Sequence, residues 1–424
     1  MLPTIDVTGR LSELLKSLLF NNALLVIQFA ASGLIPLFLI PHFIKTIGLS
    51  SFGDIAIGLS WANYAAIVVQ YAFHLTGPKY LAENSTEACG KSVFANVFLV
   101  KLLLFMLVFT VSLVCALVLR TSKLSLLSFL LYSMLPFGSV FHAGWYLQAI
   151  GRFMLVSAVS VFAVIVSLII GFGFVVTAAD SIVALSSLTI GSILTGLGTF
   201  LITMSMMRTM SGGFNSREAL LYLRDGWLIF FSQLTSSLYT FSGPIIIGLL
   251  LNSQAAGAYS AVERIVSAVS SACLLTHTAA YPRLAKLYHI DRSAYWSMMK
   301  AVVCIYFAGA LFFCLVVALT GDSFTRFIFG SESYGYGKLV WWGILLILLA
   351  VFGPMVTGYL VVSGQQEKVY PLNMKILVLS IVLGLPGIHF FGTWAWFCSL
   401  AIAQGLVLWI GITSLWKMNN ALKT

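Results

Sequence analysis

The 424-residue chain is 60% hydrophobic and only 8% charged, and its mean hydropathy is +1.01. Soluble domains carry about 25% charged residues, so this composition excludes a soluble protein. Apolar runs long enough to form spanning helices, in place of a ten-residue alternation, exclude an outer-membrane barrel. The net charge of +10 is typical of basic segments that orient helices in a membrane. We therefore predict an all-α integral membrane protein.

Twelve spans of membrane length follow one another with short connections. The first six lie at about 21–40, 52–76, 93–119, 124–149, 153–177 and 182–207, and the second six at about 224–250, 256–281, 300–320, 339–363, 371–390 and 393–416. The predicted domains are a cytosolic amphipathic arm at 1–20, a six-helix lobe at 21–210, a cytosolic linker at 211–223, a second six-helix lobe at 224–416 and a cytosolic tail at 417–424. We predict an uncleaved first span in place of a signal peptide, because the apolar run after the arm is long enough to span.

The basic residues predict the orientation of these spans. With the N-terminus in the cytosol, sixteen of the 23 Lys and Arg residues fall in cytosolic segments and five on the opposite side. Such an excess is typical of the cytosolic side of a membrane protein. Both termini are therefore predicted to be cytosolic, and Lys101 and Arg264 are the two basic residues left inside spans.

Two sequence echoes relate the halves of the chain. Gly53 and Gly257 open spans 2 and 8, and Pro78–Lys79 and Pro282–Arg283 close them, both with an offset of 204 residues. A second echo, with an offset of 213, pairs Tyr146–Leu147 and Gly151 of span 4 with Tyr359–Leu360 and Gly364 of span 10. Equivalent spans are six apart, an even number, so the lobes share one orientation. We predict two lobes related by a pseudo-twofold axis along the membrane normal, around a central cavity.

Span 8 carries an intramembrane charge pair on a polar stripe. Ser260, the pair Glu263 and Arg264, and Ser267 recur at helical spacing, which predicts a shared face. An ionised side chain costs roughly 2.5–3.5 kcal/mol in the hydrocarbon, so this face is predicted to line a wet cavity. The offset of 204 places residues of span 2 on the corresponding face. The substrate-binding candidates are Arg264, Glu263, Lys101, Ser260, Ser267, Asn63, Gln70 and His74.

Each candidate has a structural alternative. Arg264 suits phosphate because a guanidinium donates two parallel hydrogen bonds, but with Glu263 it can instead neutralise groups of neighbouring helices. Lys101 lines the cavity or snorkels to the headgroups. Asp54 either couples transport to an ion or caps the start of span 2. His142, like His74, either couples transport to protons or is simply hydrogen-bonded.

Further basic residues flank the spans on the predicted cytosolic side. They recruit a lipid headgroup, or they contact anionic lipid and set the topology; these residues are Arg217, Arg224, Arg283 and Lys79. The sequence contains no nucleotide-binding loop, no metal-ligand spacing and no nucleophile–base pair. No cofactor, metal or catalytic residue is predicted.

Three segments resemble one known family. GAYSAVER at Gly257–Arg264, followed by AAYPRLAKL at Ala279–Leu287, resembles the span-8 signature of polysaccharide flippases. Leu37–Ser60 resembles the turn between spans 1 and 2 of that family, and Gly144–Phe153 its aromatic-rich turn between spans 4 and 5. Val262 stands where the family has a small Ala, and two residues interrupt the usual Gln–Gly after span 4. The family is that of Wzx-type flippases in the multidrug/oligosaccharidyl-lipid/polysaccharide exporter superfamily.

The resemblance implies an activity and its partners. It implies transfer of an undecaprenyl-diphosphate-linked O-antigen or related surface-polysaccharide repeat unit from the cytosolic to the periplasmic leaflet of a bacterial inner membrane. A polysaccharide polymerase and a chain-length regulator are the protein partners implied, with membrane lipid and no nucleic acid. One alternative is a cation-coupled multidrug exporter of the same superfamily, although the intramembrane charges are mainly basic. The other is a membrane polymerase or glycosyltransferase, which generally needs a larger outer loop than residues 321–338.

Overall fold

The computed structural model describes residues 37–83, 87–119, 126–207, 215–330, 336–350 and 352–421, and within these ranges every regular element is a helix. The helices are α1 (Leu37–Ile47), α2 (Leu49–Gln70), α3 (Phe73–Glu83), α4 (Glu87–Leu119), α5 (Leu126–Phe141), α6 (Gly144–Ala149), α7 (Phe153–Phe174), α8 (Ser181–Met207), α9 (Ser216–Leu250), α10 (Ser253–Ile290), α11 (Arg292–Thr320), α12 (Asp322–Phe329), α13 (Gly337–Ala350), α14 (Phe352–Val362), α15 (Val369–Phe391) and α16 (Trp394–Ala421). A 3-10 turn at Gln366–Lys368 precedes α15.

Most of the predicted spans are present as apolar helices. Eight stretches of the described chain are long and apolar enough to cross a membrane, and they correspond to predicted spans 2 to 6 and 9 to 11. Shorter apolar helices stand at spans 1 and 12. Spans 7 and 8 are α9 and α10, with 35 and 38 residues. Both exceed the roughly 20 residues that a span needs.

Several helices extend beyond the predicted limits. α1 continues to Ile47 instead of ending near residue 40, α10 continues to Ile290, and α16 to Ala421. α9 begins at Ser216, within the predicted linker, because the Asn215 side chain caps its first free N–H groups. Hydropathy marks only the part of a helix that lies in lipid. The arm at 1–20 and most of span 1 lie outside the described residues, and the domain limits remain predictions.

Span 2 is broken in its C-terminal half. Tyr71 and Ala72 separate α2 from α3 with φ angles of 43° and 63°, a conformation that costs most residues other than glycine free energy. The Tyr71 hydroxyl donates to the Leu223 carbonyl at 2.9 Å, and its ring stacks on Phe230 at 4.5 Å. Contacts with α9 therefore stabilise the break. Pro78 lies inside α3 and does not close the span as predicted.

Helix α10 also continues past Pro282–Arg283, where the sequence predicts the end of span 8. α10 passes through position 282 without ending. Proline is tolerated within spanning helices because local adjustments and neighbouring groups replace the lost hydrogen bond. The Pro–Lys and Pro–Arg pairs therefore do not mark span ends.

Spans 4 and 10 end in the same turn, as the offset of 213 predicts. Gly151 and Gly364 have φ angles of 77° and 75°. In each turn the residue after the glycine donates its N–H to the carbonyl four residues before the glycine, from Arg152 to Leu147 at 2.8 Å and from Gln365 to Leu360 at 2.7 Å. This is a Schellman motif, in which glycine takes the left-handed conformation. The shared geometry supports an internal repeat.

The glycines of the other echo meet at the lobe interface. α2 and α10 cross where Gly53 contacts the Ser253 carbonyl and the Gly257 backbone, with no room for a Cβ atom on either glycine. Beside them, the Ser253 hydroxyl donates to the Asp54 carboxylate. Small residues allow this backbone approach. The N lobe (α1–α8) and the C lobe (α9–α16) thus touch at the end where α2 and α10 begin, called here the crossing end.

Candidate functional site

A cavity of about 650 Å³ with both polar and apolar lining residues lies inside the C lobe. Helices α9, α10, α13, α14, α15 and α16 form this C-lobe cavity. Its polar lining residues are Ser232, Gln233, Ser236, Tyr239, Thr240, Tyr259, Glu263, Ser267, Ser270, Tyr281, Thr357, Asn373 and Gln404. A volume in this range is typical of a small-molecule site.

Glu263 supplies the charge in this cavity. Its side chain is 8% exposed, and it accepts a hydrogen bond from the Ser267 hydroxyl at 2.9 Å. Among the described residues no Lys, Arg or His lines the cavity. The C-lobe cavity is therefore an acidic compartment with neutral polar walls.

Arg264 does not share the cavity face with its neighbour. It is half-buried and is absent from the lining of the C-lobe cavity. It follows Gly257, which contacts α2, by seven residues, and this helical spacing turns it towards the same side of α10. Ser260 lies near this face and is 2% exposed, and its hydroxyl has no partner among the described residues. Consecutive residues are about 100° apart around a helix. The predicted single polar stripe is thus two faces, one towards the C-lobe cavity and one towards the lobe interface.

The N lobe holds a matching cavity of about 690 Å³. This N-lobe cavity is lined by helices α1, α2, α5, α7 and α8. These helices correspond to spans 1, 2, 4, 5 and 6. The C-lobe cavity uses spans 7, 8, 10, 11 and 12, which are their equivalents in the repeat. The polar lining residues of the N-lobe cavity are Gln70, Ser139, His142, Ser160, Ser167, Ser187, Ser192 and Thr195. The described lining includes no carboxylate, lysine or arginine.

Two of the candidates from the sequence lie on the N-lobe cavity. The Gln70 amide donates to the Ser139 hydroxyl at 3.3 Å, which joins span 2 to span 4. His142 lies where α5 ends, and its side chain lines the cavity. These two residues therefore face polar space inside one lobe rather than the interface between the lobes.

Lys101 has a structural environment that neither predicted role describes. It is 3% exposed, and its ammonium group donates to the carbonyls of His142 at 3.1 Å and Ser139 at 3.4 Å. These carbonyls are freed where span 4 breaks between α5 and α6, and the Ala143 N–H at the same break donates to Thr199 at 3.1 Å. A cation is favoured at a helix C-terminus. Lys101 therefore provides a hydrogen-bond donor for the carbonyls that the break in span 4 leaves free. It neither snorkels to the headgroups nor lines either large cavity.

The remaining candidates of span 2 lie nearer the lobe interface. The Gln233 amide, on the wall of the C-lobe cavity, hydrogen-bonds His74 Nε2 at 3.1 Å and so links the lobes. The Asn63 amide donates to its own helix, to the Leu59 carbonyl at 2.8 Å. Asp54 lies in the second turn of α2, so it does not cap the helix start as predicted. Its partner is Ser253 of the other lobe.

The four recruitment candidates lie exposed at the opposite end of the molecule from the crossing end. Lys79 is on α3, Arg217 and Arg224 are on α9, and Arg283 is on α10. Nearby, the Tyr80 hydroxyl donates to Asp225 at 3.4 Å. This end is therefore basic and joins the two lobes.

Sequence reasoning missed several residues of the C-lobe cavity. Gln233, Ser236 and Thr240 recur along α9 with helical spacing, so the pattern that identified span 8 was also present in span 7. Asn373 and Gln404 are single amides in otherwise apolar spans. No helical repeat of polar residues in those spans indicates a cavity face. The Asn373 amide donates to the Ser232 hydroxyl at 3.3 Å, which closes the cavity wall between α15 and α9.

The fold matches solved membrane transport proteins. The lipid II flippase MurJ in an inward closed conformation aligns with a TM-score of 0.74 at 12% identity, over 93% of this chain and 87% of that one. An inward-facing multidrug resistance transporter of the MATE family and MOP superfamily aligns with a TM-score of 0.62 at 17% identity, over 95% of both chains. At these identities the similarity establishes a shared fold, the two-lobed helical bundle described above.

Sequence comparison establishes the family. A protein of Shigella dysenteriae assigned as an O-antigen transporter is 21% identical over 394 residues, covering 92% of this chain and 97% of that protein. One of Escherichia coli K12 with the same assignment is 22% identical over 346 residues, or 80% of each chain. The family model described as polysaccharide biosynthesis protein matches residues 19–288, more than half of the chain. This multi-pass membrane protein therefore belongs to the polysaccharide biosynthesis protein family.

Proposed function

We propose that this protein is a flippase that moves an undecaprenyl-diphosphate-linked oligosaccharide from the cytosolic to the periplasmic leaflet of a bacterial inner membrane. O-antigen or a related surface-polysaccharide repeat unit is the cargo. The family match and the O-antigen transporter relatives support lipid-linked polysaccharide transport. The observation that carries the proposal is a pair of large cavities, one in each lobe, that bring hydroxyl and amide side chains into an otherwise apolar bundle.

The chemistry of the cargo requires such cavities. Neither a diphosphate nor a hydroxyl-rich glycan crosses hydrocarbon unaided, because each would lose its hydrogen bonds with water. Hydroxyl and amide side chains along the cavities replace those bonds. The polyprenyl tail stays in lipid, and Arg264, a half-buried residue of α10, binds the diphosphate.

Alternating access gives the two ends of the molecule different roles. With both termini cytosolic, the crossing end is periplasmic, and its Gly53–Gly257 contact has to open for the cargo to leave. The exposed cations at the opposite end recruit the diphosphate headgroup from the cytosolic leaflet. A polymerase and a chain-length regulator act on the delivered unit as later partners.

One observation favours a second candidate function. Glu263 makes the C-lobe cavity acidic, and a carboxylate in a polar cavity suits an organic cation. A cation-coupled multidrug exporter therefore remains the alternative. A polymerase or glycosyltransferase is not retained, because the matching relatives are assigned as transporters.

Deleting the gene in its own host tests the proposal. We expect loss of surface polysaccharide and accumulation of single lipid-linked repeat units, because untransported cargo stays on the cytosolic leaflet. The wild-type gene should restore both, Arg264→Ala should not, and Arg264→Lys should restore them in part because lysine keeps the charge without the bidentate geometry. Normal polysaccharide with altered sensitivity to cationic dyes would contradict the flippase and favour the exporter.

A further inference from the structure

The C-lobe cavity contains polar groups that the described protein leaves without partners. The Ser270 hydroxyl is fully buried and makes no hydrogen bond to a described residue. The Gln404 amide also lines the cavity, and Glu263 accepts one hydrogen bond, from Ser267. Buried polar groups need partners, and a buried carboxylate needs donors most of all. The cavity therefore suits a ligand that both donates and accepts hydrogen bonds.

The charge of the cavity selects between the parts of the proposed cargo. The lining of the cavity includes the acidic Glu263 and no described cationic side chain, so it offers a diphosphate no charge partner. Sugar hydroxyls are neutral, donate to a carboxylate and accept from hydroxyl and amide groups. Tyr239 and Tyr281 add ring faces with polar edges to the same wall. A saccharide fits this chemistry and the diphosphate does not.

The adjacent residues Glu263 and Arg264 face different sides of α10, which suits the two adjacent parts of the cargo, the first sugar and the diphosphate. Glu263 lines the C-lobe cavity, whereas helical spacing from Gly257 turns the next residue, Arg264, towards the side of α10 that faces α2. In the cargo the first sugar is bonded directly to the diphosphate, so adjacent residues can hold adjacent groups. We propose that the C-lobe cavity is a saccharide subsite in which Glu263, Ser270 and Gln404 bind the sugar nearest the diphosphate. This inference rests on the proposed function.

The test compares two lipids that differ only in the sugar. The full-length protein in lipid nanodiscs is titrated with undecaprenyl diphosphate and with the lipid-linked repeat unit extracted from the deletion strain. We expect Glu263→Gln to weaken binding of the sugar-bearing lipid by about tenfold or more, the loss expected for one charge-assisted hydrogen bond. Its affinity for undecaprenyl diphosphate should not fall, because this variant removes a carboxylate charge and no contact to the diphosphate, whereas Arg264→Ala should weaken binding of both lipids.

A pair of serines provides a milder variant and a matched control. Ser270→Ala should weaken binding of the sugar-bearing lipid selectively. Ser271→Ala should not, because Ser271 donates to its own helix at the Ser267 carbonyl and does not line the cavity. This pair keeps the test informative if Glu263→Gln fails to fold.

Two outcomes would overturn the inference, and they are distinct. If the wild type binds both lipids and the cavity variants affect them equally or not at all, the saccharide subsite is wrong and the flippase stands. If the wild type binds neither lipid but binds a tetraphenylphosphonium probe through Glu263, the proposed function fails and the subsite fails with it.

Discussion

Two buried charges serve different purposes in the two lobes. Glu263 faces a cavity with one hydrogen-bond donor beside it, whereas Lys101 is enclosed by protein and satisfies two backbone carbonyls. A charged residue inside a membrane is by default a candidate for a functional site. Here that hypothesis suits Glu263, and the surroundings of Lys101 account for its charge without any cargo.

The environment of Lys101 gives a stability prediction. Lys101→Met should lower the thermal unfolding midpoint in detergent, because the carbonyls of Ser139 and His142 lose their donor at a cost of about 1–3 kcal/mol for each buried unsatisfied group. Lys375→Met, at an exposed position of α15, serves as the control and should unfold like the wild type. A Lys101→Met protein that unfolds normally but fails to restore surface polysaccharide would instead assign Lys101 to transport.

The sequence predicted the residue types of the cavity better than their directions. Intramembrane cost explains why Glu263 and Arg264 were recognised. Helical spacing, however, assigns faces only to within about one residue, so it could not separate two neighbours that point into different compartments. Lys101 was ambiguous because its acceptors are backbone carbonyls of a distant helix, and no side-chain pattern reveals them.

At the scale of elements, the breaks in spans 2 and 4 show two ways of satisfying freed backbone groups. Span 4 uses the side chains of Lys101 and Thr199. Span 2 instead places Tyr71 and Ala72 in the left-handed region and stabilises them against α9. Span length was predictable because lipid thickness imposes it. The break in span 2 was not, because neither residue is a glycine that would signal a positive φ.

The strained break predicts opposite results for one substitution at two positions. Ala72→Gly should leave the unfolding midpoint unchanged or raise it, because glycine adopts a positive φ without steric cost. Ala66→Gly, at a buried position within α2, should lower the midpoint by an amount equivalent to about 1 kcal/mol. Thermal unfolding in one detergent measures both. Equal losses at the two positions would mean that the conformation of Ala72 carries no strain.

At the scale of the whole molecule, the repeat accounts for more than the fold. Equivalent spans line equivalent cavities, and the repeat-related Gly53 and Gly257 contact each other across the lobe interface. The sequence predicted the repeat from a few identities, and the glycines among them mark turns and close approaches that favour glycine. It could not predict the difference in charge between the cavities, since Glu263 of span 8 has no acidic counterpart in span 2.

The contact at the crossing end predicts a reversible block of transport. Asp54 and Ser253 contact each other across the lobes, so the double variant Asp54→Cys with Ser253→Cys should form a disulfide on oxidation. Alternating access requires the lobes to separate at this end, so oxidation should stop delivery of repeat units in cells, and a reductant should restore it. Each single variant, treated with the same oxidant, controls for the six native cysteines. If the cross-link forms completely and surface polysaccharide is still made, the lobes do not need to part at this end, and the cargo must leave by another route.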